Sequence, residues 1–311
     1  MREYIIGVDI GGTSIKFGKF DHSGKLLEKW NIRTDKTNDG ENILKDIAES
    51  IKGKQPLNTI KGIGFGVPGP VTDNIVISCV NLGWGRKNLE TEFHQLINDS
   101  EVTVKAANDA TIAAAGEMYK GIARGYKNVV LFTIGTGVGG GIIINNALVE
   151  GINGVGGELG HIQVDFKHNF KCNCGKTGCL ETVASATGIV NVAKEHLRKS
   201  NAKSPLRRFE TFSAKKVIDY AKQGDSIAIQ SIEESMKYLA FAMATVTYTI
   251  NPDIIVVGGG VSNAGKYIIE LIEKYYYDMV KPFISHTNFA IASLGNEAGI
   301  YGCCYLVKWW N

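Results

Sequence analysis

The sequence predicts an α/β fold on three observations. Short Val/Ile-rich runs end in glycine turns at four places, helical periodicity fills the stretches between them, and two of the glycine-turn segments resemble each other. The runs are YIIGVDIGGT (4–13), IKGIGFGVPGPV (60–71), VVLFTIGTGVGGG (129–141) and PDIIVVGGGVS (252–262), each reading as a buried strand that leaves its sheet through a glycine turn.

In chain order, residues 5–20 read as strand, turn and second strand. ENILKDIAESIKG (41–53) then puts Ile43, Leu44, Ile47 and Ile51 on one helical face and stops at Gly53. AANDATIAAAGE (106–117) reads as a strand end followed by a helix beginning near Asp109, with small residues that permit close packing. An Asp at that position is, by itself, an N-cap. Further helices are expected at 185–198, 213–223, 225–250 and 264–279. IIGVDIGGTSIKFGKF (5–20) and VVLFTIGTGVGGGIII (129–144) share an apolar strand, a glycine-rich turn and a second apolar strand. They lie too far apart for a solenoid repeat and suggest two related lobes.

Composition narrows the function. The 311 residues are 44% hydrophobic and 21% charged, ordinary values for a globular chain long enough for about two domains. A net charge of +3 without a run of five basic residues gives no support for nucleic acid or a membrane surface as partner. No stretch offers 18 apolar residues, and the start is unlike a signal peptide, so a cytoplasmic protein with reduced cysteines is expected.

Neither glycine turn has the Lys-Ser/Thr ending of a P-loop or the strand-turn-helix setting of a dinucleotide fingerprint. Glycine nevertheless lets backbone amides approach an anion closely, so two such turns could grip a polyphosphate from both sides. Asp9 ends an apolar run, where a carboxylate either caps its own turn or meets a cation such as phosphate-bound Mg2+.

HIQVDFKHNFKCNCGKTGCLE (161–181) concentrates Cys172, Cys174 and Cys179 after His161, spaced H-x10-C-x-C-x4-C. Three thiolates and an imidazole complete a tetrahedral Zn2+ set, and a site closed in this way is structural. His168 inside the loop competes for the fourth position. Disulfides are disfavoured by compartment and odd count, and no C-x-x-C redox pair is present. Cys79, Cys303 and Cys304 sit in apolar contexts and read as buried hydrophobes.

DIGGTSIKFG, GVPGPV, NDATIAAAGE, IGTGVGGGI, GELGH, CNCGKTGCLE and NPDIIVVGGG occur in the order found in the ROK family of repressors, open reading frames and kinases, which the chain resembles from about residue 4 to 304. The resemblance implies a two-lobed, actin-like (ribonuclease H-like) ATPase fold with a structural zinc loop. It suggests one lobe over 1–108, completed by a C-terminal helix at about 297–311, and a larger lobe over 109–296. It implies ATP with Mg2+, with Asp9, Gly11, Gly12, Thr13 and Lys16 on the first turn and Gly135, Thr136 and Gly137 on the second facing the phosphates. Gly258, Gly259 and Gly260 would lie near the adenosine. Asp109 would be the catalytic base for a sugar 6-hydroxyl, and Asn81, Asn108, Asp109, Glu158, His161 and Glu181 would contact the sugar. Trp84 stays open between packing and a sugar-facing ring. The GELGH setting favours His161 over His168 as zinc ligand.

The implied activity is an ATP:hexose 6-phosphotransferase, glucose first. N-acetylmannosamine, N-acetylglucosamine, β-glucosides, mannose and fructose are rival substrates. A sugar-sensing repressor is disfavoured, because those carry a helix-turn-helix domain ahead of the core and the first family strand here begins near residue 4. A homodimer or homotetramer is implied as well.

Overall fold

The computed structural model describes residues 2–284 and 286–309. The elements run β1 (Tyr4–Ile10), β2 (Ser14–Phe20), β3 (Leu26–Arg33), α1 (Ile43–Lys52), β4 (Ile60–Val67), β5 (Val71–Thr72), β6 (Ile75–Val76), β7 (Lys87–Asn88), α2 (Leu89–Ile97), β8 (Thr103–Asn108) and α3 (Asp109–Tyr119). There follow β9 (Val129–Ile134), β10 (Val138–Ile144), β11 (Ala147–Leu148), α4 (Glu181–Ala184), α5 (Ala186–Lys199), α6 (Ala214–Lys222), α7 (Ser226–Ile250), β12 (Ile254–Gly258), α8 (Lys266–Val280), β13 (Asn288–Ile291) and α9 (Ala298–Trp309). The chain forms two compact units: Met1–Lys127 with Gly141–Gly157 and Ser293–Asn311, and Asn128–Gly140 with Glu158–Ala292.

The first unit is built on a five-stranded sheet ordered β3-β2-β1-β4-β8. β1, β2 and β3 pair antiparallel, and β1, β4 and β8 run parallel. Alternation along β1 decides what each face covers: Ile6, Val8 and Ile10 share a core with Ile43, Ile47 and Ile51 of α1 and Phe93 of α2. Ile5 and Phe20 pack instead with Ile300 and Cys304 of α9. α9 lies very close to this sheet because β4 presents Gly64, where a Cβ would come within 2.1 Å of the Cys303 carbonyl oxygen. The small residues of α3 serve the same end, since a Cβ at Gly116 would come within 2.1 Å of the Ala298 carbonyl oxygen.

That close packing explains a difference from the sequence-based division at Asn108. α3 follows β8 into the first unit because its glycine and alanine face packs on α9, and the second unit begins only at Asn128. Residues 141–157 return to the first unit, where the end of β10 turns into β11 with Ile143 opposite Leu148.

In the second unit β12 lies parallel between β9 and β13. Its helices start where the chain supplies an oxygen for the orphan amides of a first turn: Ser185 accepts from the Gly188 amide, Ser213 from Lys216 and Asp225 from Ala228. α7 buries Met236, Leu239 and Met243, and α5, α6 and α8 pack against it. Among the described residues no helix is long and apolar enough to cross a membrane.

Candidate active site and metal centre

The first glycine turn links β1 to β2, so Asp9 and Lys16 face each other across the hairpin. Lys16 Nζ lies 3.6 Å from Asp9 Oδ2. Burial pushes the Asp9 carboxyl above its ordinary range, and the lysine only partly opposes this. Such a carboxylate gains from a second cation. Gly299, at the start of α9, makes room for it, since a Cβ there would come within 2.6 Å of Asp9 Oδ2. The turn itself is held by Thr34, whose hydroxyl donates to the Gly11 carbonyl at 2.6 Å and whose amide donates to the Thr13 carbonyl at 3.1 Å. Neither Thr34 nor Gly299 was legible beforehand, because both come from elements outside the hairpin.

The β8–α3 junction separates two roles that the sequence left merged. Asn108 is the cap: its Oδ1 accepts from the Ala110 and Thr111 amides at 2.9 and 3.3 Å, and its Nδ2 donates to the Gly69 carbonyl at 3.2 Å. Asp109, one residue on, is exposed, and its Oδ1 accepts from the Ala110 amide at 2.8 Å. Its charge reaches Cys79, whose thiol is raised by burial first and by Asp109 as well. Asn81 is exposed on the neighbouring turn, and its carbonyl lies 3.9 Å from where a Gly12 Cβ would stand. Asn81 thus borders the first glycine turn, while Asn108 reaches Gly69 and the Asp109 charge reaches Cys79. Trp84 is settled as a packing residue: it is 3% exposed and its Nε1 donates to the Gly40 carbonyl at 3.0 Å.

The second glycine turn, between β9 and β10, lies within the second unit. Its Gly135 carbonyl accepts from the Ala186 amide at 2.8 Å, and its Thr136 carbonyl accepts from the Thr187 hydroxyl at 2.9 Å. The start of α5 therefore braces the turn, a role for Ser185–Thr187 that no local motif announced. Glu181 reaches back beneath it, with Oε2 accepting from the Val138 amide at 3.2 Å. Gly137 is what allows this, since a Cβ there would stand 2.1 Å from that same oxygen. Gly258 pairs with Thr133 at the base of the turn, so Gly258–Gly260 enter the same neighbourhood. Gly259 has φ +83°, and a Cβ would meet the Ile134 carbonyl oxygen at 2.5 Å.

His161, Cys172, Cys174 and Cys179 bring one ligand atom each to within 4.8 Å of one another. Cys174 Sγ and Cys179 Sγ are 3.7 Å apart, and Cys172 Sγ lies 3.6 Å from His161 Nδ1. Zn–S and Zn–N bonds of about 2.3 and 2.1 Å give tetrahedral edges of about 3.8 Å for sulfur–sulfur and about 3.6 Å for sulfur–nitrogen. The donor set therefore fits zinc in both identity and spacing. Burial pushes the Cys172 thiol up to about 12 and raises that of Cys179, whereas the Lys176 amide lowers that of Cys174. A divalent cation is the group that would hold all three as thiolates.

The loop carrying these ligands is a self-paired hairpin, bridged at Lys171–Thr177 and Gln163–Cys179. It touches two expected sugar contacts directly. Glu181 Oε1 lies 3.5 Å from Cys172 Sγ, and Glu158 Oε2 lies 3.9 Å from His161 Nε2. His161 thus turns Nδ1 to the cysteines and Nε2 to the carboxylate.

His168 is not a ligand. It is buried, stacked on Phe170, with Nε2 at 3.2 Å from Glu234 Oε1. Glu234 also meets Lys167 Nζ at 2.6 Å and His196 Nε2 at 2.7 Å, anchoring the outer limb of the loop to α7 and α5. Burial works to raise the Glu234 carboxyl, but Lys167, His196 and His168 outweigh it and leave it below its ordinary range. Cys79, Cys303 and Cys304 are buried within the first unit, with Cys79 facing the Pro68 carbonyl and Cys303 that of Val8.

The ROK family model matches residues 5–309. The glucokinase of Halalkalibacterium halodurans is 38% identical, with 98% of this chain and 95% of that protein covered. The glucokinase of Thermotoga maritima is 34% identical over 98% of this chain and 97% of its own. Among solved structures, a ROK family glucokinase from Streptomyces griseus in complex with glucose and AMPPNP superposes with a TM-score of 0.75 and 32% identity, covering 97% of this chain and 98% of that one.

Proposed function

Because the chain belongs to the ROK family, we propose that it is an ATP-dependent hexose 6-kinase acting on glucose. Two glucokinase relatives and the glucose- and AMPPNP-bound Streptomyces griseus enzyme support this choice of sugar and nucleotide. The observation that carries the reading is the β8–α3 junction. Asn108 is the N-cap, accepting from both the Ala110 and Thr111 amides, so Asp109 stands at the first position of the helix as an exposed carboxylate, with one oxygen on the Ala110 amide.

In the proposed reaction Asp109 accepts the proton of the sugar 6-hydroxyl as that oxygen attacks the γ-phosphorus. The bond from the γ-phosphorus to the β,γ-bridging oxygen breaks, and ADP leaves. A positioned carboxylate of this kind contributes roughly 100- to 10,000-fold. The remainder comes from placement and charge stabilisation. Asn81, Asn108, Glu158, His161 and Glu181 bind sugar hydroxyls, each supplying an amide, carboxylate or imidazole partner. Gly11, Gly12, Thr13 and Lys16, with Gly135, Thr136 and Gly137, hold the phosphates, and Gly258, Gly259 and Gly260 border the adenosine. Mg2+ beside Asp9 would neutralise phosphate charge. Zn2+ on His161, Cys172, Cys174 and Cys179 would do no chemistry but would fix the loop that Glu158 and Glu181 touch.

A coupled ADP-release assay tests this across hexoses, N-acetylhexosamines and β-glucosides with Mg-ATP. Glucose is expected to give the highest kcat/KM. If another sugar leads, the assignment of glucose falls while the kinase stands. If none is phosphorylated, the kinase reading falls.

A further inference from the structure

The two glycine turns differ in where a cation could come from. The first has Lys16 within its own hairpin, whereas residues 129–144 of the second contain no Lys or Arg. A turn meant to hold phosphate through backbone amides alone leaves most of the anion's charge unanswered. The second unit offers a cation from elsewhere. A cavity of about 130 Å3 is lined by Thr136 and Gly137 of the turn, Thr187 and Asn191 of α5, and Lys171 and Asn173 of the cysteine loop. Lys171 is its only basic lining residue.

The root of that lysine is fixed. Its backbone bridges to Thr177, and the amide of its neighbour Cys172 donates to the Lys176 carbonyl at 2.8 Å. Its side chain remains exposed, and among the described residues it forms no ion pair. Glu181, the one carboxylate lining the cavity, is already engaged by the Val138 amide.

We propose that Lys171 binds the terminal phosphates of the nucleotide, supplying from the cysteine loop the cation that the second glycine turn lacks. A lysine suits this place because its ammonium is a compact charge on a flexible stem and can follow a phosphate that moves during transfer. The proposal rests on reading residues 135–137 as a phosphate turn.

Zinc-loaded wild type, Lys171→Ala and Lys171→Arg are titrated with ADP and with AMP, and Michaelis constants are measured for ATP and for sugar. Lys171→Ala is expected to weaken ADP roughly 10-fold, the effect of one charge-assisted contact. AMP and the sugar constant should stay within about twofold, and Lys171→Arg should recover most of the ADP affinity. Unchanged ADP binding in Lys171→Ala overturns the proposal, as does an equal loss for AMP. A shift in the sugar constant alone does so too, and would mean that Lys171 serves Glu181 instead. Wild type that binds no ADP would overturn the phosphate-turn reading along with it.

Discussion

In the hairpin β1–β2 the charged groups are built in: Asp9 and Lys16 are cross-strand partners, and burial works against the carboxylate. In the hairpin β9–β10 no position from 129 to 144 is charged, and the polar groups beside the turn arrive from α4, α5 and the cysteine loop. Two hairpins of one pattern thus depend on different parts of the molecule. The first carries its electrostatics locally. The second borrows them from a segment that has little core of its own, which is a physical reason for closing that segment with a metal.

The largest effect expected from this contrast is at Asp9. Asp9→Asn should lower turnover by at least about 100-fold, the scale for losing one group that stabilises charge in the transition state. It should also raise thermal stability in magnesium-free buffer at neutral pH. The raised carboxyl pKa favours the folded state only below the unfolded value, and that contribution is lost as pH rises through the folded value. The neutral amide keeps it. A variant that is both inactive and less stable would make Asp9 a structural residue.

Next in size is the loss of metal. Cys174→Ser should abolish stoichiometric zinc, lower the melting temperature by several degrees and raise the sugar Michaelis constant about 10-fold or more. Glu181 lies 3.5 Å from Cys172 Sγ and would lose its setting. An unchanged sugar constant in the zinc-free variant would separate the metal loop from the sugar contacts.

The smallest effects come from the turns themselves. Gly137→Ala collides with Glu181 Oε2 at 2.1 Å, so it should raise the sugar constant several-fold even though it lies on the turn proposed to hold the nucleotide. Gly12→Ala meets nothing closer than the Asn81 carbonyl at 3.9 Å, so its stability should change by no more than about 0.5 kcal/mol. Its Michaelis constant for ATP should rise a few-fold if, as proposed, a phosphate approaches that surface. Equal effects of the two alanines on both substrates would erase the contrast between the hairpins.

Much of this was legible in the sequence where chemistry and spacing coincide. The cysteine loop needs four ligands at short range, and the apolar face of Ile43, Ile47 and Ile51 has an unambiguous period. What escaped detection depends on partners distant in sequence. Glu234, which ties His168 and His196 together, lies within an otherwise ordinary helix. Thr34 and Gly299 acquire meaning only once β3 and α9 are placed beside the first turn. Trp84 was ambiguous because an indole can pack or face a sugar, and its bond to the Gly40 carbonyl decides between them. The junction at 108–109 shows the limit most clearly, since neighbouring Asn and Asp are equally good caps and only the hydrogen bonds show which one is used.

The measurement that most directly tests the proposed chemistry is the turnover of Asp109→Ala, read beside its zinc content and its glucose affinity. The expected result is a fall in kcat of at least about 100-fold with bound zinc and glucose affinity largely unchanged. Turnover close to that of the wild type would contradict Asp109 as the base.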